Sequence, residues 1–115
     1  HITFSQRMVG LTELKLQDCQ LERLPSAVLS LTHLRLLDLQ HNNLSSLEEL
    51  HCLAQLRQLS CLKLAYNNLV VLPASVGVLR GLELLDLSNN QLRSLPPSLT
   101  AFHASLLPSG AFLQL

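Results

Sequence analysis

Two residue pairs in this chain are of the types that carry out chemistry, and neither is completed by its surroundings. His41 and Cys61 are a possible base and nucleophile. A thiolate nucleophile also needs a group that orients its base and donors aimed at the developing oxyanion, and no spacing in the 115 residues provides them. The carboxylates Asp38 and Asp86 form a second pair, with Lys63 between them in the sequence. Five histidines and three cysteines show no zinc-ligand spacing, and Gly77 and Gly81 belong to no phosphate-cradling loop. One Tyr, three Phe and no Trp, with eight basic residues balanced by eight acidic ones, give no basic groove interleaved with stacking platforms. These features lead us to expect no catalytic residues, no metal, no cofactor and no nucleic-acid partner.

The composition describes a folded chain. Hydrophobic residues make up 48% and charged residues 14%, far from the disordered class, and the length suits one domain. Cys19, Cys52 and Cys61 are odd in number and lack CxxC spacing, which fits a reducing compartment better than a disulfide framework. The longest apolar runs, such as Leu69 to Leu72, fall far short of the roughly 18–20 residues that cross a bilayer, so no membrane insertion by this segment is expected. A chain beginning at His1 reads as a processed product or a fragment.

Self-comparison gives the organisation. Units open at Leu11, Leu34, Leu59 and Leu82 as LTELKLQDCQL, LRLLDLQHNNL, LSCLKLAYNNL and LELLDLSNNQL, in steps of 23, 25 and 23 residues. The leucine spacing, with N or C at the ninth place, resembles the leucine-rich-repeat pattern. The expected fold is therefore α/β: a short curved horseshoe segment of solenoid, with a parallel sheet on its concave face and helical or extended convex segments. The chain divides into residues 1–10 as the remnant of a preceding repeat, 11–33, 34–58 (expanded), 59–81 and 82–104 as repeats, and 105–115 as a divergent tail or partial cap.

Period-two alternation sends Leu14 with Leu16, Leu37 with Leu39, Leu62 with Leu64, and Leu85 with Leu87 to one side of the strands, where they stack into a core. The ninth place holds Cys19, Asn42, Asn67 and Asn90. An inward asparagine there carries both a donor and an acceptor for backbone groups that lose their ladder partners at the turn. Cys19, with only a weak donor, marks a less regular junction. Leu21 with Leu24, Leu44 with Leu47, Leu69 with Leu72, and Leu92 with Leu95 carry the core onward, and Pro25, Pro73 and Pro96 open the convex segments in an extended conformation. In the expanded unit Glu48 replaces the proline. Leu47, Leu50, Leu53 and Leu56 then predict a regular helical segment capped by Ser45 or Ser46, with Glu48 or Glu49 in its first turn and Cys52 near the helix packing.

Equivalent letters of consecutive units form columns across the concave face. The fifth place gives Lys15, Asp38, Lys63 and Asp86, an alternating charge column whose expected role is mutual support and register. Asp38 and Asp86, two strand spacings apart, approach the carboxylate separation of an inverting glycosidase, but Lys63 between them accounts better for their presence. The third place gives Glu13, Leu36, Cys61 and Leu84, three of them apolar on a face turned to solvent. The eighth place adds Asp18, His41, Tyr66 and Asn89. Leu36, Cys61 and Leu84 with Tyr66 and His41 are thus the candidate protein-binding surface, Tyr66 serving as the aromatic anchor.

One stretch carries a narrower resemblance. CQLERLPSAVLSLTHLRLLDLQHNNLSSLEELHCLAQLRQLSCLKLAYNNL, with its LER turn, SLEEL segment, two-residue expansion and LSCLKL continuation, resembles the cytoplasmic repeat domain of volume-regulated anion channel subunits. The resemblance implies a non-catalytic scaffold on the cytoplasmic side of the plasma membrane, contributing assembly or regulatory contacts and partnered by protein, including homologous channel subunits. The alternative is a soluble cytoplasmic leucine-rich-repeat signalling adaptor.

Overall fold

The structure is a computed structural model that describes residues 6–79, 81–94 and 112–114. Leu95, Pro96 and the opening of the tail, to which the sequence assigned core, turn and cap roles, lie outside the described residues. Short strands β1 (Glu13–Lys15), β2 (Leu36–Asp38), β3 (Cys61–Lys63), β4 (Leu84–Asp86) and β5 (Phe112–Gln114) form one parallel sheet in sequence order. Leu14 pairs with Leu37, Leu37 with Leu62, and Leu62 with Leu85, so each step of the repeat advances the chain by one strand. The result is a curved solenoid.

The fifth strand extends the sheet beyond the four expected units. Leu113 registers with Leu85, and three residues before Leu113 the sequence has Gly110, where the earlier units have leucine. With that leucine replaced, the sequence pattern is broken even though strand pairing continues.

The core lies between sheet and convex wall. Leu37, Leu39, Leu62, Leu64, Leu85 and Leu87 are all buried, whereas Leu16, on the first coil, is only partly so. Against them pack apolar side chains of four 3₁₀ segments: Met8 of η1 (Gln6–Gly10), Val28 of η2 (Ser26–Ser30), Leu50 and Leu53 of η3 (Leu50–Gln55), and Val76 of η4 (Ala74–Val78). Pro25 and Pro73 stand just before η2 and η4 in extended conformation, with φ of −67° and −63°. Proline's fixed φ suits that position, and its missing N–H leaves no donor unpaired.

The expanded unit departs from the regular helix and serine cap expected of it. Its helical segment is a 3₁₀ turn beginning at Leu50, the residue before it is Glu49, and no side chain caps it. The period of the leucines explains the change. Leu47, Leu50, Leu53, Leu56 and Leu59 recur at every third place and all five are buried. Three residues per turn keeps them on one line, whereas 3.6 per turn would rotate the outer ones into solvent. Backbone bonds follow the same step, from Leu50 N–H to the Leu47 carbonyl at 2.9 Å, Leu56 to Leu53 at 2.9 Å, and Leu59 to Leu56 at 3.0 Å. The same three-residue rhythm links Pro25, Val28, Leu31 and Leu34 in the coil before, and Pro73, Val76, Leu79 and Leu82 in the coil after. Cys52 lies half-buried on η3, its sulfur 3.5 Å from Nε2 of His51.

Candidate interaction surface

The strand exits explain how the concave edge is built. Asp18, His41, Tyr66 and Asn89, all at the eighth place, adopt φ of 55–58°. This left-handed residue turns the chain off the sheet and aims the ninth side chain inward. Asp and Asn tolerate the conformation; for Tyr66 it costs about 1–2 kcal/mol. The residue types do not mark the position uniformly: Asp18, His41 and Asn89 are of types enriched at positive φ, and Tyr66 is not.

Inside the turn the asparagines link the coils. The Asn42 amide oxygen accepts from the N–H groups of Cys19 and Leu21, each at 3.0 Å, while its nitrogen donates to the carbonyls of Leu16, Leu39 and Gln40. Asn67 accepts from Leu44 N–H at 3.0 Å and donates to Leu39, Leu64 and Ala65. Asn90 accepts from Leu69 and donates to Leu64, Leu87 and Ser88. The Cys19 side chain adds no such rung: it is exposed, and its thiol donates to the Gln17 carbonyl at 3.4 Å. The extra left-handed residue Gln20 follows it.

On the outer ribbon, strand pairing sets Leu36, Cys61 and Leu84 side by side, each half-buried. At the exits of β2 and β3, five residues beyond Leu36 and Cys61, His41 and Tyr66 stack, with ring centroids 4.3 Å apart and planes inclined by 9°. Tyr66 remains 49% exposed. The stack orders both rings before any partner arrives, which lowers the entropic cost of using them as contacts. His41 is thereby a neighbour of Tyr66 rather than of a nucleophile. The Cys61 thiol is pushed above its ordinary value, chiefly by burial, with Asp38, Asp86 and Glu13 adding to the rise and Lys63 opposing it. A thiol held protonated is a poor nucleophile.

The charge column is in register, Lys15 beside Asp38 and Lys63 beside Asp86, but its members do not ion-pair with each other. Asp38 is instead gripped by amides. Its Oδ2 accepts from Nε2 of Gln17 at 2.6 Å, and its Oδ1 from the backbone N–H and Nε2 of Gln40 at 3.1 and 3.0 Å. Four neutral donor contacts, one of them Nε2 of Gln40 to Oδ2 at 3.1 Å, explain how the residue stays 2% exposed without a cation. Among the described residues no cluster of three or more His, Cys, Asp or Glu can hold a metal ion, and no helix is long and apolar enough to cross a membrane.

The leucine-rich-repeat family profiles match residues 9–61 and again residues 81–102. The chain is a leucine-rich-repeat protein. The volume-regulated anion channel subunit LRRC8D of Homo sapiens is 45% identical to this repeat chain over 65 residues, 56% of the chain and 8% of the subunit. LRRC8A of Rattus norvegicus is 47% identical over 64 residues, again 56% of the chain and 8% of the subunit. The leucine-rich-repeat chain thus spans about a twelfth of the length of these curated relatives. Among solved structures, a leucine-rich-repeat protein of Leptospira interrogans superposes with a TM-score of 0.68 at 30% identity, covering 91% of this chain and 25% of that one. Solenoids of this kind are typical protein-interaction scaffolds.

Proposed function

We propose that this chain is a non-catalytic docking segment from the cytoplasmic repeat region of a volume-regulated anion channel subunit, and that its concave stripe makes assembly or regulatory contacts with protein. The observation that carries the docking part is the registered row Leu36, Cys61 and Leu84, with the His41–Tyr66 stack at the strand exits of two of the same coils. Apolar side chains on a sheet face that is otherwise polar, next to a pre-ordered exposed aromatic, are the features of an interface anchor. The 45–47% identity to channel subunits over 64–65 residues supports the channel part, since the homologous stretch is repeat scaffold. In this reading the segment lies on the cytoplasmic side of the plasma membrane, and its partners include homologous subunits.

Two experiments test the two parts separately. Replacing Leu36, Leu84 and Tyr66 with Ser, Ser and Asn should lower retention of the LRRC8A repeat region at least tenfold while circular dichroism stays unchanged. Unchanged retention by a folded variant rejects the surface. The coding sequence that contains this segment should carry upstream membrane spans; a parent without them rejects channel membership in favour of a soluble adaptor.

A further inference from the structure

Asp38 and Asp86 hold the same place in alternate coils, yet their carboxylates are used differently. Both oxygens of Asp38 are occupied, by Gln17 from the preceding coil and Gln40 from its own. Around Asp86 the position of Gln40 is taken by Ser88 in the same coil, and that of Gln17 by Ala65 in the preceding coil, whose side chain has no donor. Oδ1 of Asp86 accepts from Ser88, at 3.1 Å from the backbone N–H and 2.7 Å from Oγ. Oδ2 accepts from none of the described residues, and the side chain is half-buried rather than closed off. Two hydrogen bonds therefore fix this carboxylate through Oδ1 and leave Oδ2 without a donor among the described residues.

The open oxygen has an aromatic neighbour. The N–H of Tyr66 donates to the Ser88 carbonyl at 3.1 Å, so the Tyr66 backbone adjoins the serine that holds the Asp86 carboxylate. One face of the Tyr66 ring is covered by His41, and the other is not stacked on any described ring. Leu84, two residues before Asp86 on β4, and Cys61 beside it on β3 supply an apolar floor. Lys63 and Gln114 are the register neighbours of Asp86; Lys63 forms no ion pair with it.

We infer that this corner is a socket for an arginine carried by an otherwise apolar segment of a protein partner. Its guanidinium donates to Oδ2 of Asp86 and lies against the open face of Tyr66, and its methylene stem covers Leu84 and Cys61. Arginine fits better than lysine because a planar, weakly hydrated cation can use a single acceptor and a ring face together, whereas an ammonium needs several acceptors to replace its water. Lys63 competes for the same oxygen, but must order a long, solvated side chain to reach it. The inference rests on the concave face being a protein-docking surface, and it adds the chemistry of the docked residue.

The test is a nuclear magnetic resonance titration of the isotope-labelled 115-residue chain with acetyl-Leu-Arg-Leu-amide and with its citrulline counterpart, which keeps the shape and removes the charge. Saturable shifts at Tyr66, Asp86 and Ser88 with the arginine peptide are expected, and citrulline or Asp86→Asn should each weaken binding by about tenfold, the loss of one charge-assisted bond. Lys63→Met should hold or raise the affinity by removing the internal competitor. Equal binding of the two peptides, or arginine shifts that survive Asp86→Asn, overturns the socket while leaving the apolar stripe intact. Undiminished binding of the arginine peptide by Leu36→Ser, a stripe residue outside the socket, would overturn the stripe and leave the socket standing. No saturable shift with either peptide overturns the socket outright.

Discussion

Asn67→Ala isolates the worth of one rung of the inner ladder. Asn67 is 4% exposed, and truncation removes four hydrogen bonds at once. Their fates differ. The Leu39 carbonyl keeps the amide of Asn42, the Leu64 carbonyl keeps that of Asn90, and the Ala65 carbonyl keeps the N–H of His41. Only the Leu44 N–H, on a fully buried residue, is left with no acceptor. One orphaned buried donor costs about 1–3 kcal/mol, and weakening of the three shared carbonyls adds about 1 kcal/mol, so the variant should lose about 2–4 kcal/mol. Asn42→Ala provides the contrast. It strands two N–H groups, but Cys19 is exposed and Leu21 half-exposed, so water replaces the lost acceptor and the cost should be smaller. Asn67→Asp should be worse than alanine at neutral pH, because it retains the acceptor for Leu44 but aims a buried charge at three carbonyls. Its carboxyl pKa is raised in the folded state, so its stability is greatest below the unfolded value and declines as pH rises through the folded one. Urea titrations followed by circular dichroism measure all three. A loss below about 1 kcal/mol for Asn67→Ala, or a larger loss for Asn42→Ala, would refute the reasoning.

Three further outcomes follow from the same geometry. Leu53→Ala, on the buried line of η3, should destabilise by about 2–5 kcal/mol in urea unfolding, as a cavity in a close-packed core does. Tyr66→Asn should change stability by less than about 1 kcal/mol, since relief of the left-handed strain offsets the lost stack with His41, yet it should weaken retention of the partner repeat region, by less than the triple variant does. Alkylation of Cys61 should require a higher pH than alkylation of exposed Cys19. With its folded pKa raised, the Cys61 contribution to stability is complete below the unfolded thiol value and fades as pH climbs through the folded one, which thermal melts across the alkaline range can follow.

The four leucine strands were legible because alternation and a fixed step are properties of single residues in order. Other features depend on what neighbouring coils do. β5 was missed because Gly110 stands where leucine opens the other units, and register with Leu85 is settled by pairing rather than by that one side chain. Leucines three apart suit both helix types over one turn, so the sequence of the expanded unit predicts a regular helix; only burial of all five along the run separates the two. Of the candidate surface, the apolar column was visible in sequence, but the stack of His41 on Tyr66 was not. It depends on two left-handed exits lying on adjacent strands. The charge column misled on contacts, since Gln17 and Gln40, rather than Lys15 and Lys63, hold Asp38.

The same turn that gives the solenoid its inner ladder also gives it its outer edge. A left-handed eighth residue is what swings the ninth side chain into the core, and the geometry that buries Asn42 and Asn67 thereby leaves His41 and Tyr66 outside, one repeat apart and face to face. Because the asparagines bind backbone groups of adjacent coils, the spacing of the exposed rings is set by buried hydrogen bonds rather than by their own contacts. An aromatic pair positioned in this way is rigid without depending on a partner. That separation lets the residues at the exits vary, from Asp18 through Tyr66 to Asn89, while the scaffold beneath repeats, and it explains how a repeat with little chemistry of its own can present a specific edge to another protein.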